Sequence, residues 1–347
     1  GVLVDRHVAK NAGTTVRTMF QANRARCRYV GYDVSATWTS KVGFEHKAFA
    51  ELVRELPASP TRHWCVEAHV VAHSFWPDVE QLRHSSYALR CRVVVMLRVR
   101  EPLAWYRSFY DWAVLPRQRG GDGRFGANFT DWLPSNLQSS VLLSATSSRM
   151  AVQLATRRER AERRELDPAS WTRLMRMLRA ADIVAPLERR VPLPTQATPA
   201  PSLPRPMHPP ALRRPHTSTH ISVAWACASP RAGRLDESLV LLRRLSGFLG
   251  TTEYRTIKPP PMRGKWSRVW PQLPIVSAAN LCEGDDARRA QCEAAVRAAA
   301  PDDYVLHAKA ARLFKAQLAP WLADSGFVAE LRAHREARRG QSPRFGR

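Results

Sequence analysis

An α/β fold with a central parallel sheet flanked by helices is predicted by three features of this sequence. Strand-length apolar runs alternate with segments of helical apolar spacing through the first third of the chain. The strongest run, VVVML within residues 92–99, is apolar throughout, as a strand covered on both faces must be. Hydrophobic residues make up 44% of the 347 residues and charged residues 24%, which supplies a core and excludes disorder of the whole chain.

Residues 1–8 read as a buried strand and 15–24 as the helix after it. Residues 48–56 read as a helix leading to a strand at 63–71. Beyond the strand at 92–99, residues 103–114 have the spacing of an aromatic-rich amphipathic helix, begun by Pro102 where a missing N–H is harmless. Strands and helices in this alternation build a parallel sheet, whose ligands sit where strand ends meet helix starts. The middle differs: 157–164 is a charge run suited to a solvated helix, and 186–215 is too rich in proline for a helix or a central strand. Further on, 221–226 reads as a strand, 237–247 as a helix with a leucine face and 304–325 as a second amphipathic helix. Residues 1–330 are therefore expected to form one domain, with 186–230 as an insertion or loop and 331–347 as a basic, disordered tail.

The formal net charge of +24 favours anionic partners: nucleic acid, acidic glycan, anionic lipid or a phosphorylated small molecule. The basic residues are nearly all arginine and are dispersed rather than gathered in one stripe, so charge alone selects none of these. No stretch approaches the ~20 apolar residues of a membrane-spanning helix. The chain enters a strand almost at its first residue, from which a missing N-terminal segment is expected. The six cysteines form no C-x-x-C pair, so no metal site is expected; Cys282 and Cys292 bracket a short segment that a disulfide could close in an oxidising compartment.

Two short stretches carry chemistry. The first strand runs into Lys10-Asn11-Ala12-Gly13-Thr14-Thr15 and then a helix. The first N–H groups of a helix lack internal partners and carry the positive end of its dipole, so this bend is a ready anion cradle. Gly13 permits close backbone approach, Thr14 and Thr15 add hydroxyl donors, and Lys10 adds a full charge. A Walker A loop is excluded, because there the lysine follows the glycines and here it precedes Gly13. The second stretch is Arg100-Glu101-Pro102 to Ser108, at the end of the best strand. An arginine there can fork onto a phosphate while a serine two turns into the helix donates a further hydrogen bond.

Together these stretches resemble the sulfotransferases that use 3′-phosphoadenosine 5′-phosphosulfate. His7-Val8-Ala9-Lys10-Asn11-Ala12-Gly13-Thr14 is similar to their 5′-phosphosulfate loop H-x-P-K-T-G-G-T, and R-E-P-L-x-x-x-x-S to their 3′-phosphate motif R-D-P-x-x-x-x-x-S. The likeness is greatest to the Golgi membrane-anchored carbohydrate enzymes, among them the heparan sulfate 2-O and 6-O and galactose 3-O sulfotransferases. Leu235 to Arg244 resembles the family's D-E-S-L-x-L-L-x-R helix, and Asp302 to His307 its D-x-x-L-Y segment. Ala9 departs from the usual proline, and Asn11-Ala12 from Thr-Gly.

The resemblance implies a P-loop-like nucleotide-binding core and in-line transfer of a sulfuryl group to a carbohydrate hydroxyl, on a glycan or a glycolipid, without metal or nucleic acid. It implies that Lys10, Asn11, Ala12, Gly13, Thr14 and Thr15 hold the 5′-phosphate, with Lys10 also assisting the leaving oxygen, and that Arg100 and Ser108 grip the 3′-phosphate. It implies a Golgi lumenal, membrane-anchored protein. Of the candidate bases, His69 comes first, because Ala-His-Val resembles the Gly-His-Val of the heparan sulfate 2-O enzyme; His73 and Glu67 are alternatives. His7 reads as structural. Lys258, Arg263, Lys265 and Trp266 suit a basic lid or a contact with an acidic glycan. The rival readings are a nucleotide kinase-like P-loop enzyme, disfavoured by the missing Walker A loop, and a non-catalytic basic protein binding nucleic acid or sulfated glycan.

Overall fold

The computed structural model describes residues 1–8, 10–31, 52, 54–55, 62–68, 72–88, 91–114, 129–143, 165–187, 234–252, 254, 282 and 285–340. Among these residues five strands, β1 (Val2–Arg6), β2 (Arg28–Val30), β3 (Trp64–Ala68), β4 (Val93–Arg100) and β5 (Ile183–Leu187), form one sheet in the order β2-β3-β1-β4-β5. Every pairing is parallel. The expected α/β fold, a parallel sheet flanked by helices, is thus present.

Strand alternation explains why both faces are covered. Val2, Val4, Trp64, Val66, Val95, Leu97 and Val184 face one apolar cluster, and Leu3, Cys65, Val94, Met96, Ile183 and Ala185 face the other. The first cluster is completed by residues of α2 (Ala72–Ala88), α3 (Pro102–Phe109), α5 (Leu137–Leu143), α6 (Pro168–Ala180) and α8 (Asp286–Ala299), and includes Phe129 and Trp132 of the short α4 (Phe129–Trp132). The second is closed by α1 (Gly13–Ala22), α7 (Leu235–Ser246) and α10 (Ser325–Gly340). The long α9 (Pro301–Leu322) serves both, burying Leu306 and Ala310 in the first cluster and Phe314 and Leu318 in the second. At about 1.5–3 kcal/mol for each fully buried aliphatic side chain, these two layers dominate the stability of the sheet.

Three sequence expectations change. Pro186 lies inside β5, whose edge position lets a residue without an N–H enter a sheet. The tail expected from residue 331 is instead helical as far as Gly340, because Phe327 and Leu331 are buried against α7 while Arg335 and Arg338 pair with Glu237 and Asp236. The helix expected over 103–114 is α-helical only to Phe109 and continues as a π-helical turn, Tyr110–Val114. The readings at 157–164 and 221–226 lie outside the described residues. Among the described residues two disulfides, Cys27–Cys65 and Cys282–Cys292, join the chain; the sequence suggests the second and not the first.

Candidate functional site

The chain leaves β1 towards β2 and β3 on one side, while β4 and β5 lie on the other. The ends of β1 and β4 therefore flank the point where the strand order reverses, the usual ligand crevice of an open parallel sheet. The Lys10 bend follows β1, and Arg100 closes β4. Arg100 donates from its guanidinium to the Lys10 carbonyl, 3.0 Å away. Two cationic residues, ninety apart in sequence, thus meet at this end of the sheet, near enough for the Arg100 charge to act on the Lys10 ammonium.

Burial, and after it the nearby charge of Arg100, holds the Lys10 ammonium below its ordinary range, with Asp111 acting in the opposite direction. Asp111 lies in the π-helical turn and was not singled out from the sequence. The amides of Ala12 and Gly13 meet no acceptor among the described residues, whereas the amide of Thr15 already donates to Ala12 and that of Asn11 to Val8. The start of α1, Lys10 and Arg100 thus bring donors and cationic side chains to one end of the sheet, an arrangement of the kind that suits an anion.

The bend has an unusual backbone: Lys10 (φ 68°) and Ala12 (φ 55°) are both left-handed. Ala12 stands where the resemblance expects glycine, and its backbone adopts the conformation a glycine would take without strain. Gly13 also has a packing reason to lack a side chain. A Cβ there would lie 1.4 Å from Cε1 of His7, so the missing side chain makes room for that imidazole. His7 is fixed in turn by Glu67, whose Oε1 is 2.6 Å from Nδ1. Glu67 also accepts two hydrogen bonds from Arg17, at 2.8 Å each, and one from the Tyr29 hydroxyl. Buried and hydrogen-bonded to His7, Arg17 and Tyr29, Glu67 braces the bend.

Asn11, expected among the phosphate-binding residues, turns inward. Its Nδ2 donates to the Arg98 carbonyl at 2.8 Å and to Gln138 at 3.4 Å, and its own carbonyl accepts from Arg98. Arg98 pairs through both of its forks with Asp5, and both side chains are fully buried. Burial pushes the Asp5 carboxyl up to about 6; Arg98 works against this and the neighbouring Glu67 adds to it. Gln138 completes the brace, accepting from the Arg100 amide at 2.9 Å and donating to the Arg100 carbonyl at 3.0 Å. Arg98 and Gln138 escaped the sequence reading because nothing local marks them; only the β1–β4 pairing and the docking of α5 bring them under the bend.

The remaining motif residues have readable duties. Glu101 caps α3, accepting from the amides of Leu103 and Ala104, and Pro102 opens the helix, so this dipeptide ends β4 sharply and leaves Arg100 at the crevice. Ser108 is half-buried on α3. Asp303 accepts from the amides of Gln138 and Ser139, from the Ser139 hydroxyl and from the Tyr106 hydroxyl, while Asp302 accepts from Asn136 and Leu166. The Asp302-Asp303 segment therefore sets the start of α5, and so Gln138, rather than entering the crevice. Asp236 and Glu237 of α7 hold α10. Thr15 is half-buried in the first turn of α1; the side chains of Thr14 and His73, the whole of His69, and Lys258, Arg263, Lys265 and Trp266 lie outside the described part of the protein. No group of three or more His, Cys, Asp or Glu side chains among the described residues is arranged to hold a metal ion. Compared with known proteins, the chain matches no family model, no curated protein and no solved structure.

Proposed function

We propose that this protein is a carbohydrate sulfotransferase with a P-loop-like core, using 3′-phosphoadenosine 5′-phosphosulfate as donor. The observation that carries the proposal is the meeting of Lys10 and Arg100 beside the start of α1, where the amides of Ala12 and Gly13 have no acceptor among the described residues. Two cations, one buried enough to lose basicity, suit a ligand with two anionic ends. The order and spacing of the sequence motifs name that ligand class, and the geometry is compatible with it.

When bound, the donor supplies an activated sulfur whose link to a phosphate oxygen breaks as an acceptor hydroxyl attacks. Lys10 neutralises the charge developing on that oxygen and, because its ammonium is held below the ordinary range, is a better proton donor to it. Ala12 and Gly13 hold the 5′-phosphate through their amides, with Thr14 and Thr15 beside them. Arg100 and Ser108 take the 3′-phosphate. The Asp5, Arg98, Asn11 and Gln138 network keeps the crevice in one geometry before the ligand arrives, which avoids reorganisation during the reaction. The proton of the acceptor hydroxyl passes to a base, for which His69 is proposed and His73 is second. The two disulfides support an oxidising compartment, and the Golgi lumen is the proposed location.

Calorimetric titration with adenosine 3′,5′-bisphosphate, alongside transfer of labelled sulfate to a panel of glycans, tests this reading. Arg100→Ala is expected to weaken bisphosphate binding roughly 10- to 100-fold by removing a charge-assisted contact. Lys10→Ala is expected to lower turnover roughly 10²- to 10³-fold, as loss of a charge-stabilising donor does. Unchanged binding and turnover in both variants would remove the proposal.

A further inference from the structure

At the opposite end of the sheet, where the strands begin, a concavity of about 670 Å³ is lined by Arg24, Arg26, Arg28, Arg62 and His63, with Cys27 in its wall. Arg28 and Arg62 approach one carboxylate, Glu55, at 2.6 and 3.9 Å. Arg24 and Arg26 have no carboxylate partner among the described residues. Among the described residues, Arg24, Arg26 and Arg62 add positive charge to the Arg28–Glu55 pair on a surface where all four arginines are exposed.

Three of the four arginines are mounted on one braced turn. Arg24, Arg26 and Arg28 alternate between α1 and β2, and Cys27 in their midst is bonded to Cys65 of β3. The amides of Arg26 and Cys27 donate to the Asn23 carbonyl at 2.8 and 2.9 Å. The buried side chain of Asn23 accepts from Gly250 and Thr251 and donates to the Thr251 carbonyl, which ties the turn to the segment after α7. The side chains are also placed. Arg28 lies over Trp64 at 4.9 Å and Arg24 over Tyr29 at 5.6 Å. A Cβ at Gly250 would come within 2.4 Å of the Arg26 Nε, so that glycine leaves space for the arginine. His63 is stacked on Phe248. Such mounting lowers the ordering cost of binding.

We propose that this concavity is a docking site for an acidic glycan chain, held through its sulfate or carboxylate groups and separate from the Lys10 crevice. Planar guanidinium forks match both anions. The glycan is favoured over nucleic acid because the turn is closed by a disulfide, a bond that persists in compartments where acidic glycans occur. The site lies a full strand length from Lys10, roughly 17 Å along five residues of β1, too far to serve as part of the same pocket. Its function would be to retain a polymeric chain while a distant segment is presented elsewhere. The inference rests on the charge and mounting of these arginines and does not require sulfuryl transfer.

The test is titration of the full chain with a heparin octasaccharide, with an uncharged oligosaccharide and a single-stranded DNA of equal charge as comparisons. The triple variant Arg24→Ser, Arg26→Ser, Arg62→Ser is expected to bind heparin about tenfold more weakly, with bisphosphate binding and the circular dichroism spectrum unchanged. The corresponding triple lysine variant, which keeps the charge and loses the fork, is expected to fall between. Wild-type heparin affinity in the serine variant overturns the site, and full retention in the lysine variant reduces it to nonspecific charge. Tighter binding to the DNA than to heparin overturns the assignment to a glycan. Loss of bisphosphate binding in Arg100→Ala with heparin binding intact would leave this site standing and separate it from the crevice.

Discussion

The two ends of the sheet hold positive charge in opposite ways. At the end where strands finish, Arg98 is fully buried and paired, and Lys10 and Arg100 are locked together above Asp5, Asn11 and Gln138. At the end where strands begin, Arg24, Arg26, Arg28 and Arg62 are exposed, and the backbone beneath them is fixed by a disulfide and a buried asparagine. Buried charge demands matched partners, so each group at the first end constrains several others. Exposed charge demands none, so the second end can be rigid in its main chain while its side chains stay individually replaceable.

The largest effect expected on this contrast comes from Arg98→Met, which strands Asp5 in the sheet and frees the Asn11 carbonyl. A loss of about 3–5 kcal/mol is expected in chemical denaturation; a loss no greater than that of a surface arginine would erase the distinction between the ends. Opening the other end at its fixed point, by replacing Cys27 and Cys65 with serine, frees a span of 38 residues and should cost about 2–4 kcal/mol in thermal unfolding. Next comes Gly13→Ala, whose methyl group would collide with His7; a cost of about 1–3 kcal/mol is expected, most of it relieved in a His7→Ala background.

The pH response sharpens the same comparison. Asp5 has its folded carboxyl raised to about 6, above the unfolded range near 4, so the folded state holds the extra proton between those values. Its contribution is fully present below the unfolded value and is lost as pH rises through about 6. The stability of wild type minus that of Asp5→Asn should therefore increase as pH falls from about 6 to about 4 and be flat above that window; a flat difference throughout would show that Asp5 does not titrate there. The smallest effect is a gain: Ala12→Gly should stabilise by about 0.5–1 kcal/mol, since glycine takes the left-handed conformation at that position without the Cβ penalty.

Much of the fold was legible in the sequence. β1, β3 and β4, α1, α3 and α7 lie close to where periodicity sets them, because each is long or apolar enough to declare its own period. β2 and β5 were not, since three residues ending in Tyr-Val and a strand containing Pro186 carry no local signal and exist only by pairing with a neighbour already in place. The same division runs through the site. Lys10 and Arg100 stood out as a strand-end lysine and a strand-end arginine, while the inward turn of Asn11 and the occupation of Glu67 by His7, Arg17 and Tyr29 did not.

By itself the sequence determined the elements that bury their own apolar pattern, the strand-bend-helix that carries Lys10 and the helix cap that ends β4. The tertiary structure alone decided that Lys10 and Arg100 meet at one end of the sheet, that Gly13 yields its space to His7, and that four arginines near the start of β2 and β3 gather around one shallow concavity. The physical reason is range. Periodicity and capping act over a few residues and are written locally, whereas a charge in a low-dielectric crevice answers to whichever groups parallel pairing brings beside it, ninety residues away in the case of Arg100 and Lys10.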